Sequence, residues 1–133
     1  MTYVIHSDIA QEGLLAGLKV IDLTQYIAGP YCTKLLATLG AEVIKIERPS
    51  TGDPMRYVGP SLDETGTANP ASTQPSGETS AWFLYLNTSK KSLVLDLKKP
   101  QGHEALVKLI QSADILIENF APGVMDGLGL SYK

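Results

Sequence analysis

The chain has 133 residues, about the size of one ordinary domain, of which 44% are hydrophobic and 19% charged. Eleven basic against fourteen acidic side chains leave a formal charge of −3, which argues against the basic stripe that a general nucleic-acid binder needs. No apolar run approaches the roughly 18 residues of a membrane span. Met1–Gly13 carries Asp8 and Glu12 and lacks a basic patch ahead of an apolar core, so it does not read as a secretory signal. The single cysteine, Cys32, excludes an internal disulfide and fits a reducing compartment. Together these predict a cytoplasmic domain over residues 17–133 behind an amino-terminal extension, residues 1–16, with no nucleic-acid or membrane partner and no metal site.

Leu18–Leu23 is rich in apolar and branched residues and predicts a strand. Gly29-Pro30 opens a helix, since proline suits a first turn whose N–H would be unpaired anyway. Leu35, Leu36 and Leu39 place apolar groups on one face of it, and Gly40 supplies a left-handed cap. Val43–Glu47 follows as a second strand. Strand, helix and strand within about 30 residues make a βαβ unit, which forces parallel strands.

The segment Pro49–Ser80 holds five prolines and four glycines with many Ser, Thr and Asn, and predicts a long, partly mobile surface loop. In Trp82–Leu86 helix and strand are not separable by pattern. Ser92–Leu97 then predicts a strand and Pro100 opens a helix with Leu106, Leu109, Ile110 and Ala113 at helical spacing. Ile115–Ile117 is a compact apolar strand, as in a parallel sheet covered on both faces. The expected fold is therefore α/β: a Rossmann-like, open, mainly parallel sheet with helices on both faces.

Ligands of such sheets bind beyond the carboxyl ends of the strands, which selects Thr24–Pro30, Glu47–Arg56, Asp96–Lys98 and Glu118–Gly123. The helix opening at Pro30 offers free N–H groups above Ala28 and Gly29. Arg48 can fork onto a phosphate, and Lys90, Lys91, Lys98 and Lys99 add positive charge nearby. Taken singly, each of these cations reads more simply as solvated surface charge. Asp53 and Arg56 are expected to pair with one another, His6 and His103 to be surface histidines, and Cys32 to be a small packed residue. Asn119 and Phe120 are harder to dismiss, because an amide and a ring directly after a buried strand lie where a ligand edge would be read. A nicotinamide cofactor is the rival. Glu47 stands 18 positions after Gly29, near the spacing of a ribose-binding acid, but Tyr26–Pro30 has one glycine where that fingerprint needs three.

Six segments, Gly17–Thr24, Ala28–Thr33, Leu39–Pro49, Gly52–Arg56, Lys90–Lys98 and Asp114–Gly123, resemble in sequence and order the class III CoA-transferases of the CaiB/BaiF type, which include formyl-CoA transferase and α-methylacyl-CoA racemases. The resemblance covers nearly everything from Gly17 to Leu130. It implies the amino-terminal, incomplete part of the large domain of an enzyme moving coenzyme A from an acyl-CoA donor to a carboxylic acid, without a permanently bound cofactor. It also implies a CoA site at the backbone of Tyr26, Ile27 and Ala28, at Arg48, at Leu95, Asp96, Leu97 and Lys98, and at Asn119 and Phe120. The family's nucleophilic aspartate falls in a later segment, and its members form interlocked homodimers. Formyl-CoA transferase has a glutamine where this chain has Ile27 and a CoA-binding arginine where it has Gly127. An acyl-CoA racemase using the same site, and a non-catalytic CoA-binding module, are the alternatives.

Overall fold

The computed structural model describes residues 13–62, 65–69 and 80–131. In chain order the elements are β1 (Lys19–Asp22), α1 (Ala28–Thr38), β2 (Glu42–Glu47), a 3-10 turn (Pro54–Tyr57), β3 (Ser61–Leu62), β4 (Ala68–Asn69), α2 (Ala81–Leu86), β5 (Lys91–Val94), α3 (Pro100–Gln111), β6 (Ile115–Ile117) and α4 (Val124–Gly127). β1, β2, β5 and β6 form one sheet in the order β5-β2-β1-β6. Every pairing in it is parallel, with Ile21 level with Ile44 on one side and Leu116 on the other.

Side chains alternate across a strand, and the two faces of this sheet carry separate cores. Val20 and Val43 pack with Ala37 and Ala41 on the α1 side. Ile21, Leu23 and Ile46 pack with Leu106 on the α3 side. Helices therefore cover both faces, as the two βαβ patterns predict. Each fully buried Val, Ile or Leu contributes roughly 1.5–3 kcal/mol. Of the expected extension, residues 1–12 lie outside the described residues. Leu15 already packs against the α1-side core, and its N–H donates to the Leu39 carbonyl at 2.9 Å.

α1 departs from its expected outline. It begins at Ala28, two residues before the position read from Pro30, and its buried face is Gly29, Pro30, Thr33 and Ala37. Leu35 and Leu39 are each 45% exposed, and Cys32 is exposed rather than packed. The apolar count misjudges this helix because contacts at its first turns set its rotation. Gly29 lies against the Thr24 side chain so closely that a Cβ there would overlap it, and Thr33 is drawn inward to a carboxylate. The carboxyl end follows expectation. Gly40 takes φ 102°, and the Gly40 and Ala41 N–H groups donate to Ala37 and Leu36, closing a Schellman cap.

The expected loop is more built than its composition suggests. Asp53 caps the 3-10 turn by accepting from the Met55 N–H at 2.9 Å. β3 and β4 pair antiparallel. Ser80, fully buried, donates to the carbonyls of Met55 and Val58 and caps α2 through the Phe83 N–H. Residues 63–64 and 70–79 of that segment lie outside the described residues. The undecided run Trp82–Leu86 is helical, burying Phe83 and Leu86. β5 and β6 lie at the two edges of the sheet. β5 is exposed along its length, and β6 is half-buried rather than covered on both faces as its apolar sequence suggested.

The Gly29–Thr24 contact is the tightest constraint on how α1 seats. Gly29→Ala is expected to lower unfolding free energy by about 1–3 kcal/mol, the range for overpacking. Gly127→Ala, with open space around it, should be neutral or slightly stabilising, as an alanine in a helix is. Urea midpoints of the two variants check this, and equal midpoints would remove the close approach.

Candidate functional site

Because the strands are parallel, the segments following Asp22, Glu47, Val94 and Ile117 all emerge at one edge. Strand order extends from β1 through β2 to β5, then returns to place β6 on the other side of β1. The switch point, where a crevice opens in such sheets, thus lies between β1 and β6. The segments that meet there are Thr24–Ala28 and Glu118–Gly123.

The floor of this edge is a buried cluster of charge on the α1 face. Asp22, fully buried, accepts at Oδ1 from the Thr24 N–H and hydroxyl at 2.8 and 2.5 Å. At Oδ2 it accepts from the Thr33 hydroxyl at 2.6 Å and the Lys90 ammonium at 3.1 Å. Lys45, 1% exposed, donates to the Thr24 carbonyl at 2.8 Å and lies 2.8 Å from Asp53 Oδ2, an ion pair off the line of a hydrogen bond. Glu47 takes Arg56 in a fork, with 2.7 and 2.8 Å contacts, and also accepts from the Ser92 hydroxyl and the Asp53 N–H. Arg56 in turn lies over the Phe83 ring at 3.7 Å.

Burial opposes ionisation of Asp22. The Lys45 and Lys90 ammoniums and the Thr24 and Thr33 hydroxyls outweigh it and hold the carboxyl below its ordinary range. Burial likewise opposes ionisation of Glu47, and the Arg56 and Ser92 hydrogen bonds overcome it. For Lys90 burial wins over the attraction of Asp22, and its pKa falls to about 8.

Several expectations are corrected here. Asp53 and Arg56 do not pair with one another: each reaches across to β2, Asp53 to Lys45 and Arg56 to Glu47. Lys90 is no rim cation, since its side chain is 1% exposed and bonded to Asp22, Pro30 and Asn87. Lys91 pairs with Glu42 at the opposite, amino-terminal edge of the sheet. Glu47, saturated by Arg56, Ser92 and Asp53, has no freedom to hold a ribose, which removes the nicotinamide reading. His6 lies outside the described residues. His103 is half-buried, its Nε2 2.7 Å from the Leu128 carbonyl oxygen.

Above this floor sit the residues expected at a CoA site. Tyr26 and Ile27 are 55% and 57% exposed, and Tyr26 has a left-handed backbone at φ 67°. α1 starts at once, with no side-chain cap, so the Ala28 and Gly29 N–H groups have no intrahelical partner. Arg48 is exposed and, among the described residues, its guanidinium makes no hydrogen bond or ion pair. Leu95 and Leu97 turn their side chains into the α3-side core, which leaves backbone and the neighbouring Asp96 and Lys98 toward the edge. Asp96 accepts from the Lys98 N–H at 3.2 Å and lies 3.8 Å from the Lys99 ammonium. Asn119 spends its amide on Gln25, accepting from its N–H and donating to its carbonyl, both at 2.9 Å. Phe120 packs partly on the α3-side core and lines an open depression of about 300 Å³ with Pro122, Met125 and Ser131. Thr24, Thr33 and Lys45 were missed from sequence. The polar interruptions of otherwise apolar β1 and β2, Asp22 and Lys45, were the available signal.

The signs of the shifts set a pH profile. Asp22 and Glu47 are depressed below 3.8 and 4.5, so the stability they contribute is complete above about pH 5.5 and lost as pH falls through their folded values. Lys90, lowered from 10.5 to about 8, binds its proton less well folded than unfolded, so stability rises between those two values. Urea midpoints should be flat between about pH 5.5 and 7.5, fall in acid and rise in base, with the basic rise absent in Lys90→Met.

The profile of CoA-transferase family III matches residues 15–133. A formyl-CoA:oxalate CoA-transferase from Afipia carboxidovorans is 44% identical over 119 residues, covering 90% of this chain and 25% of that protein. An acyl-CoA transferase from Fusarium pseudograminearum is 39% identical over 128 residues, covering 96% of this chain and 27% of that protein. Among solved structures, a CAIB/BAIF family protein from Brucella suis superposes with a TM-score of 0.75 at 37% identity, covering 90% of this chain and 29% of that one. The chain thus spans about a quarter of the length of the curated relatives it matches. It belongs to CoA-transferase family III.

Proposed function

We propose that the protein carrying this chain transfers coenzyme A from an acyl-CoA donor to a carboxylic acid, with this chain forming the CoA-binding edge. The observation that carries the reading is the carboxyl edge of the parallel sheet, which brings together the uncapped start of α1, the exposed Arg48 just beyond β2 and a mainly polar depression beside Phe120. Coenzyme A is a polyanion with a long, weakly polar arm. Arg48 and Lys98 supply charge-assisted contacts for its phosphates. The backbone at Tyr26, Ile27 and Ala28 and along Leu95, Asp96 and Leu97 supplies hydrogen bonds, and Phe120 with Asn119 borders the path of the arm. The formyl-CoA and oxalate named for a relative belong to that protein.

The transfer itself needs a carboxylate that attacks the thioester, and the buried acids of this chain are poor candidates. Asp22 and Glu47 are saturated with donors, and Asp53 is held by Lys45, Met55 and Tyr26. The reading therefore places the nucleophile beyond this chain, in a protein that functions as a homodimer. The exposed β5 edge, with Leu93 and Val94 38% and 58% exposed, supports a need for further packing.

Two outcomes are expected. Arg48→Ala should weaken CoA binding by roughly 1.5–3 kcal/mol, the range for a charged hydrogen bond; unchanged affinity in titration calorimetry of the full-length protein would remove Arg48 from the site. Residues 1–133 alone should catalyse no CoA exchange between a panel of acyl-CoAs and carboxylic acids followed by chromatography. Turnover that disappears on Asp53→Ala or Asp96→Ala would move the nucleophile into this chain.

A further inference from the structure

The turn between β1 and α1 is held by side chains from three other segments. Lys45 of β2 donates to the Thr24 carbonyl. Asn119, beyond β6, takes both the N–H and the carbonyl of Gln25. Asp53, which caps the 3-10 turn, accepts the Tyr26 N–H at Oδ1 over 3.1 Å. Asp53 is 2% exposed, and its other oxygen faces Lys45 at 2.8 Å. These ties surround Tyr26, whose left-handed backbone is unfavourable for a residue with a Cβ and persists only where its surroundings enforce it. The very next residues start α1 and carry the uncapped N–H groups.

We propose that Asp53 is a positioning residue for the CoA site: by holding the Tyr26 N–H it keeps the turn left-handed, and so fixes where α1 starts and where the exposed Ala28 presents its amide to the crevice. Asp53 touches no ligand itself. Asn119 acts in the same way on Gln25, through the backbone rather than by reading the nucleotide. This rests on the CoA-binding reading above and adds a role for the Gly52–Arg56 segment, which would otherwise be only a loop.

The test separates geometry from stability. CoA affinity is measured by calorimetry on the full-length protein, well below the unfolding temperature, for Asp53→Ala, Asp53→Asn and Val43→Ala. Asp53→Ala removes the acceptor and should cost about tenfold in affinity, comparable to releasing one left-handed residue. Asp53→Asn keeps an oxygen for Tyr26 while breaking the buried ion pair, so it should lose stability yet bind CoA within about threefold of wild type, a small fraction of the tenfold that equals 1.4 kcal/mol. Val43→Ala lowers stability from the aliphatic end of the α1-side core, away from the site residues, and should leave affinity unchanged. Since Asp53→Ala can fail to fold, Tyr26→Asn and Tyr26→Val provide a second arm at an exposed position. Both remove the ring, but asparagine tolerates the left-handed region and β-branched valine does not, so valine should bind CoA about tenfold more weakly than asparagine. Equal affinities for those two, or wild-type affinity in Asp53→Ala, overturn the proposal. Wild-type protein that binds no CoA overturns the site reading beneath it.

Discussion

The rest of the structure depends on six charges gathered on one face of the sheet, five with side chains at most 2% exposed and Arg56 partly exposed. Asp22, Glu47 and Asp53 are balanced by Lys45, Lys90 and Arg56, so the cluster carries no net charge. Taking any one of them out of water costs several kcal/mol, recovered only when geometry and extra hydrogen bonds are good. Here the hydroxyls of Thr24, Thr33 and Ser92, the Thr24 and Pro30 carbonyls and the Asp53 N–H complete that shell. The consequence is specificity of arrangement. β1, β2, the start of α1, the 3-10 turn and the residues before β5 each donate a member, and none can shift without exposing an unpaired charge.

This explains why the ordinary hydrophobic logic is split along each strand. The lower part of the α1 face is apolar, with Val20 and Val43 against Ala37 and Ala41. One repeat further along the same strands, Asp22 and Lys45 replace the aliphatics and α1 presents Thr33 and Pro30 instead of leucine. The opposite face stays apolar to the end, through Leu23 and Ile46 onto Leu106. A sheet that needed only stability would continue the aliphatic ladder on both faces. The polar end fixes the loops at the candidate site's edge, where the positions of single N–H groups matter.

Elements were legible from the sequence wherever one short-range rule decided them. Apolar strand runs, the proline that starts α3 and the glycine that stops α1 all act within a few residues, and β1, β2, α3 and β6 lie where those rules place them. What was illegible depends on partners distant in the chain. Lys90 meets Asp22 across 68 positions, and Asn119 meets Gln25 across 94. Even the nearby pair was misread: Asp53 and Arg56 are three apart, which invites a local ion pair, yet β2 offers Lys45 and Glu47 at the spacing that separates them. The rotation of α1 failed for the same reason, since Thr33 answers Asp22 and Gly29 answers Thr24. At the candidate site, the edge and Arg48 followed from topology and position. That Asn119 is engaged by backbone did not, because an amide after a strand looks the same whether it reads a ligand or a neighbouring turn.

The balance of the buried cluster also decides what a ligand feels. Formal charge over the whole chain is −3, which would repel a polyanion if it were spread evenly. Yet the buried acids beneath the edge, Asp22, Glu47 and Asp53, each face a cation, and their fields largely cancel at the surface. Exposed at that edge are Arg48 and Lys98 with the positive end of α1, and on the β6 side the acid Glu118. Electrostatic steering depends on this local pattern rather than on net charge. An acidic chain can therefore present a positive patch beyond β2 and β5, around Arg48 and Lys98, because the carboxylates beneath it, Asp22, Glu47 and Asp53, are neutralised in the interior.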